Sequence, residues 1–166
     1  MSIPSTEKVY DLVSLNNETS RPLIYYHFAL NNKRERVAII YRFTNIILIT
    51  HFDGELIKKL AGKDNQIQVL DNNDENQIIT YYEIDYDEEY IYCLYKNQKR
   101  LNGDIPIYPR EIHVFDWDGN QISKLFLEYD LASFKVDLVS RTIYTYSPEA
   151  NSFVTYNIEH LIPDIN

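Results

Sequence analysis

The sequence predicts an all-β protein built from about three four-stranded antiparallel blades of the β-propeller type. Three observations predict this fold: a strand-turn-strand motif that recurs, strands that are apolar on consecutive residues, and a composition typical of sheets. The chain has 166 residues, with 15 tyrosines and 7 phenylalanines against 4 glycines, and aromatic side chains suit the pleated surface of a sheet. A hydrophobic share of 45% is enough for one domain with a buried core.

The recurring motif is clearest at Glu111 to Leu125, where a short strand, Asp118-Gly119 and a second strand follow one another. Asp-Gly favours a type I′ hairpin turn, because both of its positions tolerate φ > 0. When Asp53-Gly54 is aligned on Asp118-Gly119, at an offset of 65 residues, Phe52 takes the position of Trp117. Repeats on this scale indicate a solenoid or a propeller.

A second repeated block precedes the hairpins. Ile84 to Tyr92 aligns with Val136 to Tyr144 at an offset of 52 residues, and Ala29 to Ile39 is a looser copy. Strands such as IILI at 46–49 and YIYCLY at 90–95 are apolar on consecutive residues, so both faces of their sheets must be covered. Propeller blades meet that condition, because each sheet lies between its neighbours around an axis.

We expect a single domain over residues 1–166, with blades at about 20–62, 76–130 and 131–160. The strands predicted for the first blade are Leu23–Leu30, Arg36–Arg42, Ile46–His51 and Glu55–Leu60. Those predicted for the second blade are Gln77–Asp85, Glu89–Lys96, Glu111–Trp117 and Gln121–Tyr129. Those predicted for the third blade are Ala132–Asp137, Arg141–Tyr146 and Ser152–Ile158, the last being a copy of the hairpin motif without its Asp-Gly.

Two segments complete this organisation. Asn97 to Arg110 is predicted to be a surface excursion outside the blade, because Pro106 and Pro109 cannot donate to a strand ladder. The third blade lacks a fourth strand, and Glu7 to Leu15 is predicted to supply it, from the same chain or from a partner.

The order of YIYCLY, EIHVFDWDGNQISKL, ASFKVD and RTIYTYSPEANSFVTYNI is similar to the closing blades of the TolB-like six-bladed β-propellers, a largely uncharacterised bacterial family. The resemblance covers roughly Leu23 to Leu161 and implies half of a six-bladed ring. Family members are longer and often carry an export or lipoprotein signal, whereas residues 1–17 have no signal-peptide pattern and no apolar run reaches a membrane span. As written, the chain is expected to be cytoplasmic, either a truncated product or the C-terminal half.

The candidate ligand site is the mouth of the central channel, to which inner strands contribute side chains. At the offset of 52, Glu83 and Lys135 take the same position on adjacent inner strands, with Tyr82 just before Glu83 and His27 roughly equivalent. An acid, a base and an imidazole at one level are able to bind a polar small molecule. The alternative is a structural ion pair or a solvated channel lining.

The sequence predicts no catalytic residue, metal ligand or cofactor. The four histidines lack metal-type spacing, and Asp71–Asn76 and Asp116–Asn120 lack the full ligand set of a calcium loop. Asp85 and Asp137 are equivalent at the offset of 52 and are predicted to accept backbone N–H bonds in Asx-type turns. Cys93 is predicted to be a small buried hydrophobic residue.

The net charge of −9 argues against nucleic acid as a partner. The favoured function is a non-enzymatic binding module that uses its acidic, tyrosine-rich rim and the Asn97 to Arg110 loop to bind a protein, peptide or glycan. The alternative is a metal-dependent hydrolase or lactonase with channel carboxylates such as Glu83, which a single obvious axial carboxylate makes less favoured. Three blades cannot close a ring. We therefore expect a homodimer, or a partner that supplies the missing half.

Overall fold

The computed structural model of the chain describes residues 25–62, 78–99, 101–102, 105–137 and 139–160. These residues form thirteen strands and contain no helix. The sheets are antiparallel, with four, four and three strands, and a two-stranded ribbon accompanies them. The prediction of an all-β fold built from propeller-type blades is thereby confirmed. Within the described ranges, no helix is long and apolar enough to cross a membrane.

The first blade contains four strands, each paired with the next in the chain. They are β1 (Tyr26–Asn31), β2 (Arg36–Tyr41), β3 (Ile46–His51) and β4 (Leu56–Ala61). The side chains alternate between the two faces of the sheet. Ala29 on β1 and its partner Ala38 on β2 are buried against the second blade, whereas Phe28 and Leu30 lie on the opposite face and are exposed.

The second blade has both of its faces covered. Its strands are β5 (Ile78–Tyr86), β6 (Tyr90–Lys99), β9 (Glu111–Asp116) and β10 (Gln121–Phe126), and the ribbon of β7 (Leu101–Asn102) and β8 (Ile105–Pro106) lies between β6 and β9 in the chain. On β6, Ile91 and Cys93 pack toward the first blade, and Tyr92 and Leu94 toward the third. Consecutive apolar residues on β6 therefore serve two different cores, as the sequence predicts.

The third blade contains β11 (Ser133–Asp137), β12 (Thr142–Ser147) and β13 (Ser152–Asn157). Its sheet has three strands in the described part of the chain. The segment predicted to add a fourth strand, Glu7 to Leu15, lies outside the described residues. Strand β5 contacts both β1 and β11, so the first strands of the three blades lie side by side.

The two Asp-Gly hairpins share one geometry, but it is not the predicted type I′ turn. Gly119 has a φ of 80° and Gly54 a φ of 87°, while Asp118 and Asp53 are absent from the residues with positive φ. The N–H of Gly119 donates to the carbonyl of Asp116 at 3.1 Å. This is a three-residue loop, in which a type I turn is followed by a glycine in the left-handed region. Glycine alone, rather than both turn residues, carries the positive φ.

Phe52 and Trp117 occupy the same place in the two hairpin loops, as predicted, but differ in burial. Trp117 is fully buried, and its indole N–H donates to the carbonyl of Asp87 at 3.0 Å. Phe52 is 49% exposed. The first blade covers Trp117, whereas no described residue covers Phe52 in the same way.

The predicted excursion at Asn97 to Arg110 begins later than expected. Strand β6 continues to Lys99, where it pairs with Ile78 at the start of β5. Asn97 has a φ of 46°, beside a register irregularity between Ile79 and Tyr81. Asn97 to Lys99 therefore belong to the blade, because the end of β6 lies beside the start of β5.

Candidate functional site

The four predicted channel residues lie on the first strands of the blades, and strand register fixes their levels. His27 on β1 pairs with Ile40, and Glu83 on β5 pairs with Leu94. Ile40 and Leu94 occupy equivalent positions on the second strands of the first and second blades. His27 and Glu83 therefore lie at the same level along the first strands of these blades. Lys135 lies at a different level along its strand, as its pairing with the neighbouring strand shows.

Lys135 is equivalent to Asp85 rather than to Glu83. Lys135 pairs with Tyr144, and Asp85 pairs with Tyr92, the residue that aligns with Tyr144. Eight residues separate Lys135 from Tyr144, whereas six separate Asp85 from Tyr92, so the turn between these equivalent pairs is two residues longer in the third blade. A shift of two residues keeps each side chain on the predicted face of the sheet but moves it one row along the strand.

Glu83 contributes to the seam between the second and third blades. Its Oε2 accepts the backbone N–H of Phe134 at 3.1 Å. Burial raises the pKa of the Glu83 carboxyl, while the Phe134 N–H and the nearby Lys135 oppose that rise. Glu83 is therefore a half-buried acid with a raised pKa, and one of its oxygens accepts a hydrogen bond from the backbone of the third blade.

Asp85 makes the same kind of contact one row further along. Its Oδ2 accepts the N–H of Val136 at 2.7 Å, and its Oδ1 accepts a hydrogen bond from Nζ of Lys135 at 3.1 Å. The Asx-type turn predicted for Asp85 is wrong, because the strand continues past it to Tyr86 and its carboxylate crosses the seam. Glu83 and Asp85 together fasten β11 to β5 through side chains.

Asp87 holds the turn that the sequence attributes to Asp85. Its Oδ1 accepts the N–H groups of Glu89 and Tyr90, both at 2.6 Å. Asp137 makes the predicted turn, since its carboxylate accepts the N–H of Val139 and the hydroxyl of Ser140. These bonds lower the pKa of Asp137, with the Ser140 contact contributing most.

His27 and Tyr82 form a separate group with Arg42, which follows the last residue of β2. The Arg42 guanidinium carbon lies 4.9 Å from the centre of the Tyr82 ring, a cation–π distance. Tyr82 also meets Tyr108 edge to face at 6.5 Å. Burial lowers the pKa of the half-buried His27, and the positive charge of Arg42 lowers it further. The predicted site is thus divided: His27 and Tyr82 lie with Arg42, and Glu83 and Lys135 lie on the seam.

A second group that the sequence did not single out surrounds His113. Its Nε2 lies 2.6 Å from Oε1 of Glu111, and its ring stacks on Tyr95 with centres 4.1 Å apart. Burial lowers the pKa of His113, whereas Glu111 raises it and Lys124 lowers it. His113, Tyr95 and Lys124 border a groove of about 500 Å³ between the outer strands of the first two blades. Strand spacing places Glu111 and His113 on one face, but only the fold supplies the tyrosine.

Metal ligands do not converge within the described ranges, where no group of three or more His, Cys, Asp or Glu side chains is able to hold an ion. Asp116, in the calcium-like stretch of the hairpin, instead accepts the N–H groups of Asp118 and Asn120. It therefore stabilises its own turn. The other calcium-like stretch, Asp71–Asn76, lies outside the described residues.

Comparison with family models matches residues 3–138 to the model described as TolB-like 6-blade propeller-like. Comparison with curated proteins found no match. The matched segment includes the first two blades and β11, and so contains every residue of the candidate site.

Proposed function

The chain belongs to the TolB-like 6-blade propeller-like family, and from that premise we propose that it is a non-enzymatic interaction module whose end blades bind a second copy of the chain. The observation that carries the proposal is the open face of the first blade. Tyr26, Phe28 and Leu30 alternate along β1 on that face and are 56%, 56% and 39% exposed. Leu56 on β4 and Phe52 in the hairpin loop are also exposed. An apolar surface of this kind marks an interface.

The open face of the third blade offers a matching surface. Tyr144 and Tyr146 alternate along β12, and Phe153 pairs with Tyr146 from β13. All three are exposed, Phe153 at 84%. The opposite face of β12, with Ile143, is buried against the second blade. The third blade is therefore covered on one side and open on the other.

Equivalent residues inside the chain support contact between these two unlike faces. Phe52 corresponds to Trp117, which is buried between the first and second blades. Tyr144 and Phe153 correspond to Tyr92 and Ile112, which are buried between the second and third blades. A third-blade face set against a first-blade face would repeat the arrangement of both internal seams. Two copies related in this way would bury both open faces of each chain.

The alternative function, a metal-dependent propeller hydrolase or lactonase, draws no support from the described part of the chain, because its potential metal ligands do not converge there. Among channel carboxylates, Glu83 and Asp85 are engaged with the backbone of β11. A protein, peptide or glycan ligand, or a different propeller fragment in place of the second copy, remains an alternative occupant for the open faces.

Light scattering on gel-filtered protein at tens of micromolar tests the proposal. We expect a dimer for the wild type and a monomer for Phe28→Lys and for Phe153→Lys, since each buries a charge in a seam. Phe126→Lys is the matched control, because Phe126 is 75% exposed on the second blade, away from both open faces. It should remain dimeric.

Mixing the two interface variants distinguishes unlike from like pairing. The Phe28→Lys chain keeps an intact third blade and the Phe153→Lys chain an intact first blade, so their mixture restores one seam and should yield a heterodimer. A wild-type monomer at this concentration would overturn the proposal. So would a dimer that Phe28→Lys abolishes and Phe153→Lys leaves intact, because that result indicates two first blades in contact.

A further inference from the structure

Arg42 is held by its backbone at the end of the seam between the first two blades. Its N–H donates to the carbonyl of Tyr25 at 2.8 Å, and its carbonyl accepts the N–H of Thr80 at 2.7 Å. The second bond joins the first blade to β5 of the second. Because both bonds use the main chain, they fix the backbone at Arg42 and leave its guanidinium uninvolved.

Among the residues that the structure describes, the guanidinium of Arg42 has aromatic neighbours but no acid. It lies over Tyr82, and its carbon is 6.0 Å from the centre of the Phe43 ring. Its Nε is buried and has no hydrogen-bond partner. No carboxylate of the described residues forms an ion pair with it. Buried donors almost always have acceptors, so this atom requires an explanation.

Arg36, on the same blade, is an arginine whose guanidinium has hydrogen-bond acceptors. Its Nε is also buried without a partner, but its Nη1 donates to the carbonyl of Trp117 and to the carboxylate of Asp118, both at 2.6 Å. Arg36 thus fastens a hairpin loop to the first blade. Arg42 makes no equivalent contact with any described residue, so its guanidinium is a candidate to bind an acceptor.

The surroundings of Arg42 define what that acceptor would be. Phe43 meets Tyr25 edge to face at 5.7 Å, and Tyr82 meets Tyr108 edge to face at 6.5 Å. Burial, and then the positive charge of Arg42, lower the pKa of the half-buried His27. The site therefore combines one permanent cation and one imidazole with several aromatic rings.

We infer that Arg42, assisted by His27, binds the carboxylate of a ligand whose apolar or aromatic body lies against Tyr82. A planar guanidinium fork matches the two oxygens of a carboxylate. A phosphate dianion would need more cations than this single one, and the net charge of −9 opposes polyanions. The site is independent of the proposed pairing of end blades, because the contacts of Arg42 with Tyr82 and Thr80 lie between the first and second blades rather than on the open face of the first.

Isothermal titration calorimetry with sodium benzoate tests the inference, with benzamide as the uncharged analogue of the same shape. Benzoate should bind at least about tenfold more tightly than benzamide, because charge-assisted bonds are roughly twice as strong as neutral ones. Inorganic phosphate should bind more weakly than benzoate. A second comparison uses a tripeptide that ends in phenylalanine and the same tripeptide with a C-terminal amide. If the tripeptide with the free carboxylate binds more tightly than benzoate, the ligand is the C-terminus of a peptide.

Arg42→Lys keeps the charge but loses the fork, and should weaken benzoate binding by about tenfold while leaving benzamide binding unchanged. Arg34→Lys is the matched control, because Arg34 is exposed and donates to the carbonyl of Glu88. It should bind benzoate like the wild type. Equal affinities for benzoate and benzamide, the absence of benzoate binding at millimolar concentration, or an unaffected Arg42→Lys variant would each overturn the inference. Circular dichroism verifies that both variants are folded.

Discussion

The carboxylate of Asp85 accepts the backbone N–H of Val136 at 2.7 Å, across the seam between the second and third blades. Glu83, two residues earlier on β5, accepts the N–H of Phe134 in the same way. Alternate acids on one strand thus bind alternate N–H groups on the next. The third blade is joined to the second by side-chain acceptors as well as by its apolar core.

Asp85→Ala should lower the free energy of unfolding by about 1–3 kcal/mol, because it leaves the Val136 N–H without an acceptor. Asp85→Asn keeps an acceptor and loses only the ion pair with Lys135, whose side chain is 70% exposed, so its cost should stay below about 1 kcal/mol. Urea denaturation measures both values. Glu55→Ala, at an exposed position, is the control, and equal effects of the two Asp85 variants would contradict the prediction.

Glu83 should make stability depend on pH in a defined direction. Burial raises the pKa of Glu83 above its ordinary value of 4.5. The protonated acid therefore favours the folded state below that value, and this contribution is lost as pH rises through the folded pKa. Glu83→Gln retains an acceptor for Phe134 and does not titrate. The free energy of unfolding of this variant, relative to that of the wild type, should therefore increase from pH 4 to pH 7. Urea denaturation at pH 4 and pH 7, with Glu55→Gln as control, measures this difference. A larger advantage of Glu83→Gln over the wild type at pH 4 than at pH 7 would refute the prediction.

Gly119→Val should destabilise the protein more than Gly54→Val. Both glycines have positive φ, which costs a β-branched residue on the order of 1–3 kcal/mol. At Gly119 a Cβ would also lie 2.7 Å from Cγ of Lys58, so the lysine stem must move. The difference between the melting temperatures of the two variants measures the effect of that additional contact. An unchanged melting temperature for Gly119→Val would show that the loop geometry is not required.

Cys93 should resist thiol reagents until the protein unfolds. Its side chain is fully buried in the core between the first two blades, as the sequence predicts, and burial raises the pKa of the thiol. Thiolate is the reactive form. Labelling with a disulfide reagent should therefore follow the unfolding transition in urea. Rapid labelling of the native protein, at the rate of free glutathione, would contradict this expectation.

The strands could be predicted from sequence because their signals are local. Ile46–His51 is recovered residue for residue, since a run of β-branched residues needs no distant partner to be recognised. The end of β6 was missed because Lys99 belongs to the strand only through its pairing with Ile78. The type I′ prediction failed for a similar reason: Asp-Gly tolerates two loop geometries, and the loop length chosen by the flanking strands decides between them.

The candidate site could be predicted only in part. The parity of the inner strands was recoverable, so His27, Glu83 and Lys135 were assigned to the correct strands. The shared level of His27 and Glu83 was predicted as well, but the level of Lys135 was not, because two more residues separate Lys135 from its partner Tyr144 than separate Asp85 from Tyr92. Arg42 carries no sequence motif. Its significance depends on Tyr82, which is distant in sequence and meets it only when β5 packs beside β1.

The inequality of the two open faces gives any assembly of this chain a polarity. A first-blade face with Phe28 and a third-blade face with Phe153 are different surfaces, so contact between them is head to tail. Such a contact closes when successive rotations complete a circle and otherwise continues as a filament. The stoichiometry then depends on the rotation between neighbouring blades. A change in a seam buried inside the chain, remote from either end, would alter how many chains fit around the axis.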